Sequence, residues 1–273
     1  MSKTIFITGS STGLGRATAL LFAEKGWRVF ATMRNPEKET ELAAKPGITL
    51  LPLDVTSVDQ IAAAARDAIA AAGPAGIDVL FNNAGYGLAG PLEGITDEQL
   101  TRQIDTNLLG VIRTTQAFLP HFRARRGGLI ITTTSIGGLV TFPFNSVYHA
   151  TKWALEGWSE SLAFEMSAFG VGVKTVSPGG IRTDFAGRSL VFAPHEAYVE
   201  DITSTMKAFR DPARASQGSS AEQIADVVYE AATDGKDQVR YVAGADAKAA
   251  YAQRLAVGDE VFRRGISKQF LGR

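Results

Sequence analysis

Thr4-Ile5-Phe6-Ile7-Thr8-Gly9-Ser10-Ser11-Thr12-Gly13-Leu14-Gly15 is the stretch that decides the fold. Thr4 to Thr8 predicts a short strand that stops at Gly9, and Leu14 to Lys25 carries apolar residues at helical spacing up to Gly26. Glycines between a strand and a helix let the backbone turn tightly and approach a pyrophosphate, whose charge the helix N-terminus stabilises. The spacing is Gly9-x-x-x-Gly13-x-Gly15, not the Gly-x-Gly-x-x-Gly of the common dinucleotide fingerprint.

Outward from this turn the alternation continues. Strands are predicted at Arg28 to Met33, Ile48 to Leu53, Ile77 to Phe81, Leu129 to Thr134, Val171 to Val176 and Val239 to Ala243. Ser57 is placed to N-cap an Ala-rich helix through Ala72, and Ser146 to Phe169 reads as a long helix. Nearly all-apolar strands alternating with helices predict an α/β doubly wound parallel sheet, the Rossmann fold, with ligands beyond the C-terminal strand ends. No repeat or boundary divides residues 1–273, so one domain is expected; only residues 184–220 break the alternation.

Composition excludes several classes. Lys plus Arg and Asp plus Glu both number 28, so no basic excess exists to hold a nucleic-acid backbone. The absence of cysteine rules out disulfides, thiolate nucleophiles and cysteine metal sites. His121, His149 and His195 are too scattered for a zinc motif, which leaves structural or surface roles and no expected metal. No run reaches the roughly 18 apolar residues of a membrane span, and no signal peptide is recognised, so a cytoplasmic location is expected.

The end of the second strand speaks to the cofactor. NAD-specific domains usually carry an acid there for the ribose 2′-hydroxyl, whereas this one reads Ala31-Thr32-Met33-Arg34-Asn35. Arg34 can meet a 2′-phosphate, with a hydroxyl added by Ser11 or Thr12, so NADP(H) is expected. Tyr148 and Lys152 lie four apart near the start of the long helix and share a face. A nearby ammonium is expected to lower the phenol pKa towards the range useful for proton transfer. Ser135, ending a strand, is placed to bond the same carbonyl oxygen.

Taken in order, Thr8-Gly9-x-x-x-Gly13-x-Gly15, Asp54-Val55, Asn82-Asn83-Ala84-Gly85, Asn107, Ser135, Tyr148-x-x-x-Lys152 and Pro178-Gly179-x-Ile181-x-Thr183 resemble the short-chain dehydrogenase/reductases. The strand-two sequence and extended C-terminus look like the branch containing 17β-hydroxysteroid and retinol dehydrogenases. The resemblance implies a catalytic set of Asn107, Ser135, Tyr148 and Lys152, with Asn107 supporting a water that leads protons to Lys152. It implies cofactor contacts from Gly9, Ser11, Thr12, Gly13, Leu14 and Gly15, from Asp54 and Val55 at the adenine, and from Asn82, Ala84 and Gly85. Tyr148 and Lys152 would add to these, with Pro178, Gly179, Ile181 and Thr183 at the nicotinamide. A mobile lid at 184–220 and a homo-oligomer, dimer or tetramer, are implied too. Phe142, Phe144, Phe185, Phe192, Tyr198, Met206 and Phe209 form an apolar pocket or a core patch, and the tail from Asp246 extends the cleft or caps an interface. The expected activity is reduction of an apolar ketone or aldehyde, or oxidation of the alcohol. A 3-oxoacyl-carrier-protein reductase and a nonenzymatic NADP(H) sensor are the alternatives.

Overall fold

The computed structural model describes residues 2–182, 190–212 and 216–273. Among them, β1 (Thr4–Ile7), β2 (Arg28–Met33), β3 (Ile48–Pro52), β4 (Val79–Asn82), β6 (Gly128–Thr133), β7 (Val171–Pro178) and β9 (Arg240–Ala243) form one seven-stranded parallel sheet. Its order is β3-β2-β1-β4-β6-β7-β9. The chain moves outward from β1 to β3, then returns to the other side of β1 with β4. The switch point therefore lies between β1 and β4, where the glycine turn and the Asn82–Gly85 segment emerge. A separate parallel pair joins β5 (Gly87–Ala89) to β8 (Leu190–Phe192).

Strand alternation feeds two cores. Ile5, Ile7, Val29, Ala31, Val79 and Phe81 pack against α1 (Gly13–Glu24) and the later helix α7 (Ala221–Thr233). Phe6, Phe30, Leu80 and Ile130 face α2 (Val58–Ala72), α4 (Gly110–Arg125) and α5 (Ser146–Ser167). Burial on both faces explains why these strands read as unbroken apolar runs. Ser57 caps α2 as expected, accepting from the Gln60 N–H at 3.3 Å.

Three features differ from the sequence reading. β4 starts at Val79 rather than Ile77, whose N–H is taken by His121 Nε2 at 3.0 Å. Before α4 stands α3 (Asp97–Ile104), opened by a Thr96–Gln99 capping box and joined to α4 by a π-turn at Asp105–Leu109. Beyond β9 the tail is helical, as α8 (Ala245–Val257) and α9 (Asp259–Leu271). In the expected lid, the described part holds β8 and α6 (Val199–Phe209).

Lys174 of β7 is buried at 6% exposure and ties three elements together. Its ammonium donates to the Ala231 carbonyl (2.9 Å), Asp234 Oδ1 (2.8 Å) and the Tyr241 hydroxyl (3.0 Å), while Tyr241 donates to Asp234 Oδ2 (2.6 Å). Burial works to raise the Asp234 carboxyl, but the bonds from Lys174 and Tyr241 hold it well below the usual carboxylate range. Removing one partner of such a pair strands a buried charge at about 3–5 kcal/mol. Asp234→Ala should therefore lower the melting temperature by on the order of 10 °C. A melt indistinguishable from wild type would show that the pair contributes nothing.

Candidate active site

The C-terminal strand ends open into one cleft of about 2230 Å³. At one end is the glycine turn. Gly9 has φ +70°, and a Cβ there would stand 2.8 Å from Ala84 Cα. A Cβ on Gly15 would run into the Gly9 carbonyl and the Asn83 amide. Thr8 and Asn83, both members of the motifs quoted above, stitch the two loops together. The Thr8 hydroxyl accepts from the N–H groups of Asn83 (2.9 Å) and Ala84 (3.0 Å). Asn83 Nδ2 donates to the carbonyls of Thr8 (3.1 Å) and Gly9 (3.0 Å).

Gly9, Ser11, Thr12, Gly13, Leu14, Arg34, Asp54, Val55, Ala84, Gly85, Pro178, Gly179 and Ile181 all line the cleft. Gly15 packs beneath the turn. Asn82 does not line the cleft: it is buried and donates to Thr115 Oγ1 at 2.9 Å, while its neighbour Asn83 takes the cleft position. The parity of β4 explains this, because Asn82 shares the face of Leu80, turned towards α4. Thr183 and Phe185 lie outside the described residues.

Helix α1 begins without a side-chain cap from Thr12 and with no acid in its first turn. Its first N–H groups are thus left for an outside acceptor. Arg34 is exposed at the cleft mouth and makes no ion pair with a described residue. Burial tends to raise the Asp54 carboxyl, but hydrogen bonds from Thr56 and the charges of Arg34 and Arg102 hold it low.

Towards the centre of the cleft, Ser135 follows β6, and Tyr148 and Lys152 stand on the first turns of α5. Ser135 Oγ accepts from the Gly137 N–H at 3.0 Å, and Ser135, Tyr148 and Lys152 line the cleft together. Lys152 Nζ donates to the Thr133 carbonyl at 2.9 Å and lies 5.8 Å from the Tyr148 ring centroid. The phenol is not lowered by the lysine, as the spacing suggested. Burial pushes it up, with Ser135 opposing, while the Lys152 ammonium donates to the Thr133 carbonyl. Burial also brings the Lys152 ammonium down to about 8, with Glu156 opposing.

Asn107 sits in the π-turn, 1% exposed. Its Oδ1 accepts from the Tyr86 N–H (3.0 Å) and its Nδ2 donates to the Tyr86 carbonyl (2.8 Å). The extra residue of a π-turn re-aims the helix locally, here placing this amide against the β4–β5 loop.

His149, next to Tyr148, is buried at 6% exposure beside Phe142, with ring centroids 6.1 Å apart. Burial lowers its pKa to about 4. Between about pH 6.5 and 4 the unfolded chain binds a proton that the folded one refuses, so folding loses stability as pH falls through that window. The full loss is about 3 kcal/mol. His149→Phe should flatten this acid limb in denaturant titrations; an unaltered limb would assign the acid sensitivity elsewhere. Among the described residues no His, Asp and Glu group could hold a metal ion, and no helix is long and apolar enough to cross a membrane.

The far end is aromatic. Phe142, Phe144, Phe192, Met206 and Phe209 line it, joined by Phe262, Ile266 and Phe270 of α9. Phe142, Phe209 and Phe270 stack mutually at 4.9–5.8 Å between ring centroids. Arg273 grips Asp201 of α6 through two bonds of 3.0 and 2.7 Å, so the tail is fastened across this end of the cleft.

Residues 3–190 match the family model described as short chain dehydrogenase. The chain belongs to the short-chain dehydrogenase family. It is therefore an oxidoreductase acting on alcohol or carbonyl groups, built to bind a nicotinamide nucleotide. Its similarity runs nearly end to end with Oxidoreductase BOA17 of Botryotinia fuckeliana, 36% identical over 96% of this chain and 97% of that one. Human 17-beta-hydroxysteroid dehydrogenase type 1 is 34% identical over 88% of this chain and 77% of its own. A short chain dehydrogenase from Burkholderia cenocepacia, solved in complex with NADP, superposes with a TM-score of 0.77 at 26% identity, covering 97% of each chain.

Proposed function

We propose that this short-chain dehydrogenase is an NADP(H)-dependent reductase of apolar ketones or aldehydes, with Tyr148 as the proton donor. One observation carries the reading: a single cleft joins Arg34, which makes no ion pair with a described residue, and a β2 end without an acid to Ser135, Tyr148 and Lys152 below an aromatic wall. The turn fits a pyrophosphate, since side chains are excluded at Gly9 and Gly15 and the N-terminus of α1 is uncapped.

Gly9, Ser11, Thr12, Gly13 and Leu14 would hold the pyrophosphate and Arg34 the 2′-phosphate. Asp54 and Val55 would flank the adenine, with Ala84 and Gly85 along the cleft floor. Pro178, Gly179 and Ile181 would hold the nicotinamide end, and Tyr148 and Lys152 its ribose. The bound nucleotide supplies hydride chemistry. The Tyr148 phenol carries its proton and can donate it to a carbonyl oxygen placed beside it. Ser135 has its hydroxyl directed to the same oxygen, and Lys152 supplies a positive charge beside the ring. The Asn107 side chain anchors the Tyr86 loop, and Asn107 would support a water leading protons to Lys152.

The aromatic wall sets the substrate class. With NADPH, bulky aryl or polycyclic ketones should be consumed at higher kcat/KM than acetone-sized or charged ketones. Equal rates across the panel would contradict the assignment of the aromatic end as the substrate pocket.

A further inference from the structure

Tyr148, Lys152 and Glu156 occupy successive i, i+4 positions on the face of α5 that lies on the sheet. Glu156 is 4% exposed, an unusual place for a carboxylate unless its oxygens are fully met. Its Oε1 accepts from Thr134 Oγ1 (2.5 Å) and Ser177 Oγ (2.8 Å). Its Oε2 accepts from Thr175 Oγ1 (3.2 Å) and Arg240 Nε (2.9 Å). The donors come from the end of β6, from one face of β7 and from the start of β9, so the carboxylate is fixed by three adjacent strands. Gly138, just after Ser135, packs on the same helical turn. A Cβ there would lie 2.8 Å from the Lys152 carbonyl and 3.2 Å from Glu156 Cγ.

We propose that Glu156 is a positioning residue for Lys152, a fixed buried negative charge one helical turn below the ammonium that keeps it charged within the cleft floor. This rests on the reading of Lys152 as a working ammonium. An apolar side chain would fill the same space without the desolvation cost of a charge, whereas only a carboxylate can act on the lysine one turn away. Arg240 partly cancels that charge and is itself shared with Glu160 at 2.5 Å. The other titratable groups nearby are Tyr148 and His149 on α5 and Tyr251 on α8, which acts on Arg240. Lys174, next to Thr175 on β7, points to the opposite face and is committed to Asp234 and Tyr241.

The test uses the whole protein without nucleotide or substrate. Protein labelled with 13Cε-lysine is titrated by NMR, and the Lys152 signal is assigned by its loss in Lys152→Met. The wild-type signal should titrate near about 8. Glu156→Gln should move the midpoint down by roughly one pH unit, and Arg240→Gln, which uncovers the carboxylate, should move it up. Packing alone predicts no such opposed pair. If Glu156→Gln does not fold, the more exposed Arg240→Gln decides by itself. A midpoint unchanged or lowered in Arg240→Gln overturns the proposal. Because no turnover is read, a failure of the reductase assignment, seen as no NADPH consumption by wild type, leaves this result readable.

Discussion

Tyr148→Phe should lower kcat by about 10²–10⁴-fold while leaving NADPH affinity within about twofold. The substitution deletes one hydroxyl at the cleft centre and keeps the ring that packs near His149, at 6.0 Å between centroids. What goes is the phenol that shares the cleft with Ser135 and Lys152, and with it the proton that burial holds in place. Ser135 remains, but a serine hydroxyl is a far weaker acid, so hydrogen bonding to the substrate oxygen survives without proton delivery. Stopped-flow single turnovers separate this from slow product release: the chemical step itself should slow. A variant that turns over at the wild-type rate would remove Tyr148 from the mechanism.

Arg34→Asp should shift the ratio of NADPH to NADH affinity by about 10²–10³-fold towards NADH. Loss of a charge-assisted pair contributes about 1.5–3 kcal/mol, and the new carboxylate repels a 2′-phosphate while accepting from a ribose hydroxyl. The environment supports so large an effect, because Arg34 makes no ion pair with a described residue and Met33 before it is buried. Nucleotide fluorescence titrations at two ionic strengths check it. Wild-type affinity for NADPH should weaken with salt and that of the variant much less, since exposed charge pairs are screened. An unchanged ratio would show that the 2′-phosphate is held elsewhere or not recognised.

The elements that sequence displayed best are those whose signals are local. The glycine turn, the apolar strands and the Ser57 cap need only neighbouring residues, and each stands where it was expected, with β4 shifted at its start. Asn82 and Asn83 show where local reading stops. Both belong to one motif, but strand parity sends Asn82 to Thr115 and leaves Asn83 on the cleft, and the parity was already written in Val79, Leu80 and Phe81. The π-turn at Asn107 has no sequence signature of its own, because it answers to the Tyr86 backbone across the cleft.

The electrostatics of the site were less accessible. Spacing places Lys152 beside Tyr148 but says neither that the ammonium turns to the Thr133 carbonyl nor that burial pushes the phenol up. Glu156 did leave a trace, as a carboxylate on the helix face of Tyr148 and Lys152, yet its four donors come from three strands distant in sequence. The tail carried a similar trace, with Phe262, Ile266 and Phe270 at i, i+4 and i+8 on α9, all now lining the cleft.

The central claim is carbonyl reduction at the expense of NADPH, and nicotinamide absorbance followed with purified protein and a panel of aryl and polycyclic ketones tests it most directly. The account predicts NADPH consumption matched one-to-one by alcohol formation, faster than with NADH at equal concentration and slowed by about 10²–10⁴-fold in Tyr148→Phe. Tight NADPH binding with no alcohol formed from any ketone, aldehyde or 3-oxoacyl thioester would contradict it and mark the protein as a nucleotide sensor.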